Sequence, residues 1–354
     1  MELCLYEPEL GYYSRPQEQF GKGGDFYTSS DVHAVFGRLL ARQFEEMWRA
    51  LDSPERIDLI ELGPGRGLFA RDVLDWSAKQ FPAFAQALRY GLVEQSAHLR
   101  ERLQGRLRDH FRAGYTEVFD SIEAAGAQAG ENLIVFGNEF FDALPVEIVD
   151  HRGEVHVDEQ NGRFAERFAP PAAAAMEFLD RYGVHPPEGE RVEVPLASLA
   201  WLDHIAVMFR GQRGFLVLVD YGYTREQQLA GRHRDTLMTY CQHQAGASPY
   251  DAPGEQDITA HVNFTALRAR GAERGLDDLA LLTQTQFLLG IGEETQFADA
   301  FQDCRQPQER AKVALQLKHL ISPEGMGETF QVLLMSHGIA REKAAPLSGL
   351  KLAR

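Results

Sequence analysis

The chain has 354 residues, of which 44% are hydrophobic, and a formal net charge of −16 from 52 acidic and 36 basic side chains. This composition supports a sizeable core, and the length predicts two domains or one domain with insertions. A negative field of this size repels phosphates and argues against generic nucleic-acid binding. It would attract a basic peptide or a cationic small molecule, although an acidic surface also serves solubility alone.

The cysteines and the N-terminus bear on the cellular compartment. Cys4, Cys241 and Cys304 lie far apart and form neither a CxxC pair nor a zinc-binding spacing. They predict a reducing compartment and no metal site. The first residues lack the cations of a targeting peptide, and no apolar run approaches the ~20 residues of a membrane span. We therefore expect a cytoplasmic protein. The chain begins almost inside its first motif, which suggests that a short N-terminal piece is missing.

The first 150 residues alternate between strand and helix patterns after an initial loop and helix. The predicted elements are a glycine- and aromatic-rich loop at 6–30, helices at 32–51, 68–80 and 98–107, and strands at 57–62, 89–96 and 133–136. Such alternation is typical of a parallel α/β sheet.

The second half departs from this alternation before returning to it. Residues 151–200 predict an inserted hairpin or small subdomain, and 223–263 predict a long functional loop. The remaining predicted elements are strands at 214–222, 278–283 and 329–338 and a helix at 262–272. We divide the chain into an N-terminal cap (1–52), a core (53–150), an inserted subdomain (151–212) and a segment that completes the sheet (213–354).

A glycine-rich segment, ELGPGRG, follows the first predicted strand. It is not a P-loop, because no Lys-Ser or Lys-Thr follows the glycines. It departs from the dinucleotide pattern GxGxxG, because position 68 is Leu and the third glycine comes early, at Gly67. The spacing of Glu61, Gly63, Gly65 and Gly67 is typical of the first loop of an S-adenosylmethionine-dependent methyltransferase. Taken alone, the segment is equally compatible with an ordinary strand-to-helix turn.

The chemistry of that cofactor explains these residue types. Glycines let the backbone approach the methionine part and the ribose, and a helix N-terminus favours the carboxylate. Glu61 can accept a hydrogen bond from the ammonium group, and Pro64 stiffens the loop. Glu94 ends the second predicted strand, where nucleotide-binding sheets place an acid that binds ribose hydroxyls.

A third polar segment, GNEFFDALP, follows the strand at 133–136. It predicts Asn138 beside the cofactor and Glu139 and Asp142 as catalytic residues, since carboxylates can orient a guanidinium through bidentate contacts. Methyl transfer mainly requires alignment of acceptor and methyl group, with charge or proton handling at the acceptor. Phe140 and Phe141 could line the pocket, but we favour a role in the core.

With these motifs together, the chain resembles the MidA family of S-adenosylmethionine-dependent methyltransferases over nearly its whole length. That family includes a mitochondrial complex I assembly methyltransferase that modifies arginine. The segments that carry the resemblance are YEPELGYY, GKGGDFYTS, ELGPGRG, NEFFDALPVE, DYGY, PGEQDITAHVNFTAL, TQTQFLLGIG and FQVLLMSHG. The resemblance implies an α/β fold, namely a Rossmann-like methyltransferase sheet with helices on both faces, an N-terminal cap and inserted β and helical segments.

The resemblance also implies further site residues. It points to Asp120 and Ser121 near the adenine, and it suggests that the N-terminal segment closes over the cofactor through Gly23, Gly24, Asp25 and Thr28. His261 is a candidate for positioning the substrate, with a histidine hydrogen-bonded beneath a loop as the alternative.

Two departures from the family pattern concern the acceptor. Asn263 replaces the acid of DITAHVDF, and TYCQHQ keeps Tyr240 and His243 but lacks the family's arginine. The leading hypothesis is methylation of arginine in a partner protein, with a respiratory complex subunit as a candidate. The alternatives are a non-catalytic assembly factor and, more weakly, a nicotinamide oxidoreductase.

Overall fold

The structure of the protein is a computed structural model that describes residues 1–15, 34–241, 244–245 and 248–353. The strands in these ranges are β1 (Ile57–Leu62), β2 (Leu88–Val93), β3 (Thr116–Phe119), β4 (Asn132–Asn138), β5 (Glu147–Asp150), β6 (Gly153–Gln160), β7 (Arg163–Ala169), β8 (Arg191–Val194), β9 (Arg213–Tyr223), β10 (Met238–Cys241), β11 (Gln244–Ala245), β12 (Asp257–Thr259), β13 (Val262–Asn263), β14 (Asp277–Thr283) and β15 (Phe330–His337).

Most of the helices cover a face of the largest sheet or connect its strands. They are α1 (Glu2–Tyr6), α2 (Ala34–Ala50), α3 (Leu68–Gln80), α4 (Pro82–Ala87), α5 (Ala97–Arg106), α6 (Arg108–Arg112), α7 (Ile122–Gln128), α8 (Ala173–Arg181), α9 (Leu196–Met208), α10 (Arg225–Leu229), α11 (Phe264–Glu273), α12 (Gln284–Glu293), α13 (Ala298–Phe301), α14 (Pro307–Ile321) and α15 (Arg341–Ala344). None of these helices is long and apolar enough to cross a membrane.

The largest sheet has the strand order β14-β15-β9-β4-β1-β2-β3, with β13 paired to the end of β9. Strands β3, β2, β1, β4 and β9 run parallel, whereas β15 is antiparallel to both of its neighbours. Because the chain moves outward in one direction from β1 and in the other from β4, a topological switch point lies between these two strands. The predicted α/β sheet with helices on both faces is confirmed.

Continuous apolar runs explain why the central strands are buried. All six residues of β1 are buried, as expected for a parallel strand covered on both faces. Leu59 packs into a core formed with α2, α3 and α12, whereas its neighbour Ile60 packs into a core formed with α7, α9 and α11. The sheet therefore separates two hydrophobic cores, one on each face.

A second, antiparallel sheet occupies the region predicted as an insertion. Its strand order is β7-β6-β5-β8, and α8 packs on it through Phe178 and Leu179. The sheet extends from residue 147 to residue 194, and α9, which follows it, packs against the helices of the main sheet.

The sequence patterns do not predict several elements, among them helices α12 and α14 and two shorter features. Strand β3 has only four residues, of which two are buried, so it lacks a recognisable apolar run. Residues 223–263, predicted as an irregular loop, contain α10 and a small sheet in the order β11-β10-β12. These strands have only two to four residues and are therefore too short for periodicity to reveal.

Candidate functional site

A cavity of about 1520 Å³ lies at the carboxyl ends of β1, β2, β4 and β9. Paired registers place these ends together: Leu62 lies beside Val93 on one side and Gly137 on the other, and Asn138 lies beside Val219. Open α/β sheets bind ligands at such an edge, next to the switch point.

The glycine-rich loop contributes backbone to one wall of the cavity. Gly63, Gly65 and Gly67 have φ angles of 60°, 49° and 69°, in the left-handed region that favours glycine. A Cβ atom at Gly63 would lie 2.8 Å from Cδ2 of Phe140. Gly63, Pro64 and Gly65 line the cavity. Gly67 is not among the lining residues; it begins α3, where a Cβ atom would lie 2.6 Å from Cδ2 of Leu103.

One buried and one partly buried carboxyl group flank this loop. Glu61 is 4% exposed and accepts a hydrogen bond from the Tyr90 hydroxyl at 2.8 Å. Burial raises the pKa of Glu61 to about 8, although the Tyr90 bond opposes the rise. Glu94 accepts a hydrogen bond from the Ser96 amide at 2.8 Å, and burial raises its pKa to about 7. A cationic ligand beside either group would favour its charged form.

At the end of β4, the chain turns sharply and forms part of the cavity wall. Asn138 Nδ2 donates to Glu139 Oε1 at 3.1 Å, while Asn138 Oδ1 is buried and makes no hydrogen bond with the described residues. Glu139 has a φ of 50°, a strained value for a residue other than glycine, and its amide donates to the Val219 carbonyl at 2.9 Å. Strain of this kind is concentrated at functional sites.

Asp142 lies in the same wall and is 5% exposed. Its Oδ2 accepts a hydrogen bond from the Tyr221 hydroxyl, and its Oδ1 is buried without a hydrogen bond of ordinary geometry to the described residues. Burial raises the pKa of Asp142, and the Tyr221 bond opposes the rise. An unpaired buried oxygen beside a cavity is a site where a ligand can donate a hydrogen bond.

The two phenylalanines of the segment have different roles. Phe141 is buried in the core, as we favoured, whereas Phe140 lines the cavity and packs edge-on against Trp201 with ring centroids 4.9 Å apart. Phe140 also packs against the core, so it has both roles, and its ring lies over Gly63, where no side chain intervenes.

The opposite wall combines the N-terminal segment with the residues around β12. The Tyr13 hydroxyl donates to Asp257 Oδ1 at 2.8 Å, and the Tyr6 hydroxyl donates to the Ala143 carbonyl at 2.8 Å. The rings of Tyr6 and Tyr13 stack with centroids 5.6 Å apart. Tyr240 also lines this wall. This phenol-rich wall therefore contains three tyrosine hydroxyl groups and the buried carboxylate of Asp257.

His261 lines the cavity between these walls. Its ring packs edge-on against Tyr221, and its Nδ1 lies 3.0 Å from Nδ1 of His233. Burial, reinforced by His233, lowers the pKa of His261 to about 4. His261 is therefore neutral near pH 7 and can position a ligand by hydrogen bonding but not by charge.

Two further predicted residues, Asp120 and Ser121, do not line the cavity. Ser121 caps α7 by accepting from the Ala124 amide at 3.3 Å, and neither it nor Asp120 is among the lining residues. Both follow Phe119, whose carbonyl accepts from the Glu94 amide at 3.0 Å, so they lie at the same sheet edge. The predicted positions Gly23, Gly24, Asp25, Thr28 and His243 fall outside the residues that the structure describes.

Sequence reasoning missed several residues of the wall. They are Tyr6, Tyr13, Glu147, Trp201, Tyr221, Asp257 and Thr259. For all but Trp201, the available signal was their position inside YEPELGYY, NEFFDALPVE, DYGY and DITAHV, which were used for the resemblance but not to assign these residues to the site.

Carboxylates dominate the charge of the cavity. Seven acids line it among the described residues: Glu2, Glu61, Glu94, Glu139, Asp142, Glu147 and Asp257. Among the described residues that line the cavity, Arg66 is the only Lys or Arg. Such a wall attracts a cationic ligand.

This sheet, with a glycine-rich loop and an acid on neighbouring strand ends, defines a class of enzyme: the S-adenosylmethionine-dependent methyltransferases. A family model described as an S-adenosyl-L-methionine-dependent methyltransferase matches residues 39–281, and the chain belongs to that family. The resemblance to MidA proteins is thereby confirmed, and the nicotinamide oxidoreductase alternative is wrong.

Relatives and solved structures agree with this assignment. The mitochondrial protein arginine methyltransferase NDUFAF7 of Danio rerio is 28% identical, over 94% of this chain and 81% of its own. The Homo sapiens protein of the same name is 26% identical, over 93% of this chain and 77% of its own. A crystal structure from Burkholderia thailandensis, bound to S-adenosyl-homocysteine, has 29% identity and a TM-score of 0.80, covering 99% of this chain and 89% of that one.

The cavity fits the cofactor of the family. The left-handed glycines leave room for its methionine part beside the backbone, and the unpaired Asn138 Oδ1 can accept from its ammonium group. Bound S-adenosylmethionine supplies a methyl group on a sulfonium centre. Glu61, Asn138 and Glu94 are the side chains that we expect to hold its amine and ribose.

We expect Glu61→Gln to stabilise the cofactor-free protein at alkaline pH while weakening cofactor binding. The pKa of Glu61 is higher in the folded chain than in the unfolded chain, so its burial destabilises the fold increasingly as pH rises from about 4.5 to about 8. The free energy of unfolding of the variant, relative to wild type, should therefore grow over this range, by at most about 1.4 kcal/mol per pH unit. Calorimetry at pH 5 and pH 8, with the exposed Glu101→Gln as control, measures the effect. Parallel pH profiles for variant and wild type would contradict it.

Proposed function

We propose that the protein transfers a methyl group from S-adenosylmethionine to an arginine side chain of a partner protein. The observation that carries this proposal is the acidic wall beside the glycine-rich loop, in which Asp142 keeps a buried oxygen without an ordinary hydrogen bond. A guanidinium has five N–H donors and a permanent positive charge. Glu139, Asp142 and Asp257 offer carboxylates to such a group.

The chemistry requires alignment and the removal of one proton. A bond forms between a guanidinium nitrogen and the methyl carbon, the sulfur–carbon bond of the cofactor breaks, and the nitrogen loses a proton. The Asp142 carboxylate accepts that proton, since burial raises its pKa towards the range in which a general base is effective. Glu139 holds the remaining N–H groups by charge-assisted hydrogen bonds.

The names of the relatives support the same acceptor, since the matched proteins of Danio rerio and Homo sapiens are named protein arginine methyltransferases. The family resemblance makes a respiratory complex subunit the first partner to test. A cytoplasmic location stays a prediction from the sequence.

The test is methyl transfer into proteins of a lysate prepared from cells that lack the gene. Purified protein and isotope-labelled S-adenosylmethionine should place label on arginine, identified by mass spectrometry of the labelled peptides. Glu139→Gln should retain cofactor binding and lose the transfer, because a neutral amide holds a guanidinium far less well than a carboxylate does.

Two outcomes would overturn the proposal. Label on another side chain would exclude arginine as the acceptor. Full rescue of the deleted gene's phenotype by Glu139→Gln, with no label transferred, would identify a scaffold that keeps the methyltransferase fold.

A further inference from the structure

Two consecutive residues at the end of β9 bind the loop that carries Asp142. Asp220 is 2% exposed, and Tyr221 follows it in the chain. Neither residue was a candidate from the sequence. Both belong to β9, the strand that lies beside β4 in the sheet.

Asp220 binds the backbone of the loop. Its Oδ2 accepts hydrogen bonds from the amides of Phe140, Phe141 and Asp142 at 3.2, 3.0 and 3.3 Å. Its Oδ1 accepts from the Tyr221 amide at 2.9 Å. One carboxylate therefore satisfies three successive amides of a turn that would otherwise be buried without partners.

Tyr221 binds the side chain of Asp142. Its hydroxyl donates to Asp142 Oδ2, which leaves Oδ1 as the oxygen of Asp142 without an ordinary hydrogen bond. The Tyr221 ring is itself held edge-on between His261 and Phe330, with centroid distances of 5.4 and 5.5 Å. The orientation of the Asp142 carboxyl is thus determined by a side chain that is packed on two sides.

We propose that Asp220 and Tyr221 are positioning residues, which together form a clamp that presents Oδ1 of Asp142 to the methyl acceptor. The backbone contact places Asp142, and the hydroxyl contact sets its rotation. This inference rests on the proposed function, in which Asp142 binds the acceptor and takes its proton. It assigns to DYGY a role that no sequence pattern indicates.

Burial favours the protonated form of Asp142, and contacts with the Tyr221 hydroxyl and with the backbone amides of Ala143 and Asp142 oppose it. The titratable groups that face it from the packed elements are Tyr6, Tyr13, Glu139, Asp220, Tyr221, Tyr240, Asp257 and His261. The acids among them repel a carboxylate, whereas the Tyr221 hydroxyl stabilises it. Loss of that hydroxyl therefore raises the pKa of Asp142.

The decisive variant is Tyr221→Phe, which removes one hydroxyl and keeps the ring. We expect cofactor affinity within about twofold of wild type and kcat about 10- to 100-fold lower. The acid limb of the kcat/KM profile should move up by about one pH unit. Tyr182→Phe is the matched control, because the Tyr182 hydroxyl donates to Glu273 at 3.1 Å outside the cavity; its pH profile should stay unchanged.

A titration that needs no acceptor separates the clamp from the proposed function. The carboxyl of Asp142 can be followed by carbon-13 NMR and assigned through the signal that Asp142→Asn lacks. A higher pKa for Asp142 in Tyr221→Phe supports the clamp even if the acceptor is not arginine. An unchanged pKa overturns the clamp, whatever the acceptor.

The backbone half of the clamp is tested by Asp220→Asn. We expect the variant to bind the cofactor and to lose turnover, because asparagine replaces one of the two accepting oxygens of Asp220 with an NH2 group, which cannot accept from a backbone amide. Wild-type kcat and KM in a folded Asp220→Asn protein would overturn this half. If the variant fails to fold, the Tyr221→Phe titration still decides whether the side-chain contact positions Asp142.

Discussion

Asp142→Asn should lower the rate of methyl transfer about 100- to 10,000-fold without preventing cofactor binding. The substitution keeps the shape of the side chain, and the amide oxygen can still accept from the Tyr221 hydroxyl. It removes the charge that attracts a guanidinium and the oxygen that takes its proton, each of which typically accounts for large factors in catalysis. Single-turnover kinetics with labelled cofactor measure the rate, and calorimetry measures the binding.

The control for this variant is Asp109→Asn, an exposed substitution in α6. It should leave rate and binding unchanged. If Asp142→Asn turned over at a rate near that of wild type, Asp142 would not be the proton acceptor, and Glu139 would be the next candidate.

Gly65→Val should weaken binding of the cofactor by at least about 100-fold. The φ of Gly65 is 49°, a conformation that a β-branched residue adopts only under strain, and the new side chain would occupy space beside the cavity. Gly65→Ala should cause a smaller loss, because it adds one methyl group. Isothermal titration with S-adenosyl-homocysteine measures both affinities.

A second glycine of similar sequence context serves as the control. A Cβ atom added at Gly105, in the exposed part of α5, meets nothing within 4 Å. Gly105→Val should therefore retain wild-type affinity. Equal affinities for Gly65→Val and wild type would show that the loop does not approach the ligand.

The sequence predicts the elements around the glycine-rich loop well because they are local. A buried strand, three alternate glycines and a helix are consecutive, and Glu94 ends the next strand along the chain. Each of these features follows from hydrophobic periodicity and backbone conformation, which act over short distances. The observed bounds of β1 and α3 coincide with the predicted ranges 57–62 and 68–80.

The acceptor side could not be derived in the same way. Asp257 meets Tyr13 across 244 residues of chain, and Tyr221 meets Asp142 across 79. No periodicity links such pairs, so the sequence places Asp142 at a strand end but gives no indication of what holds its carboxyl. The short strands β10 and β12 escape prediction for the same reason: their pairing exists only in the folded chain.

The contact between Tyr13 and Asp257 has a consequence for the order of assembly. Joining such distant segments costs loop-closure entropy, which is offset only after the intervening sheet has formed. Contacts between residues far apart in sequence therefore form slowly. The side chains that we expect to hold the cofactor, Glu61, Glu94 and Asn138, all lie in the first half of the chain. The phenol-rich wall requires the start of the chain and a segment near residue 257. The residues expected to bind the cofactor can therefore come together before the phenol-rich wall is complete.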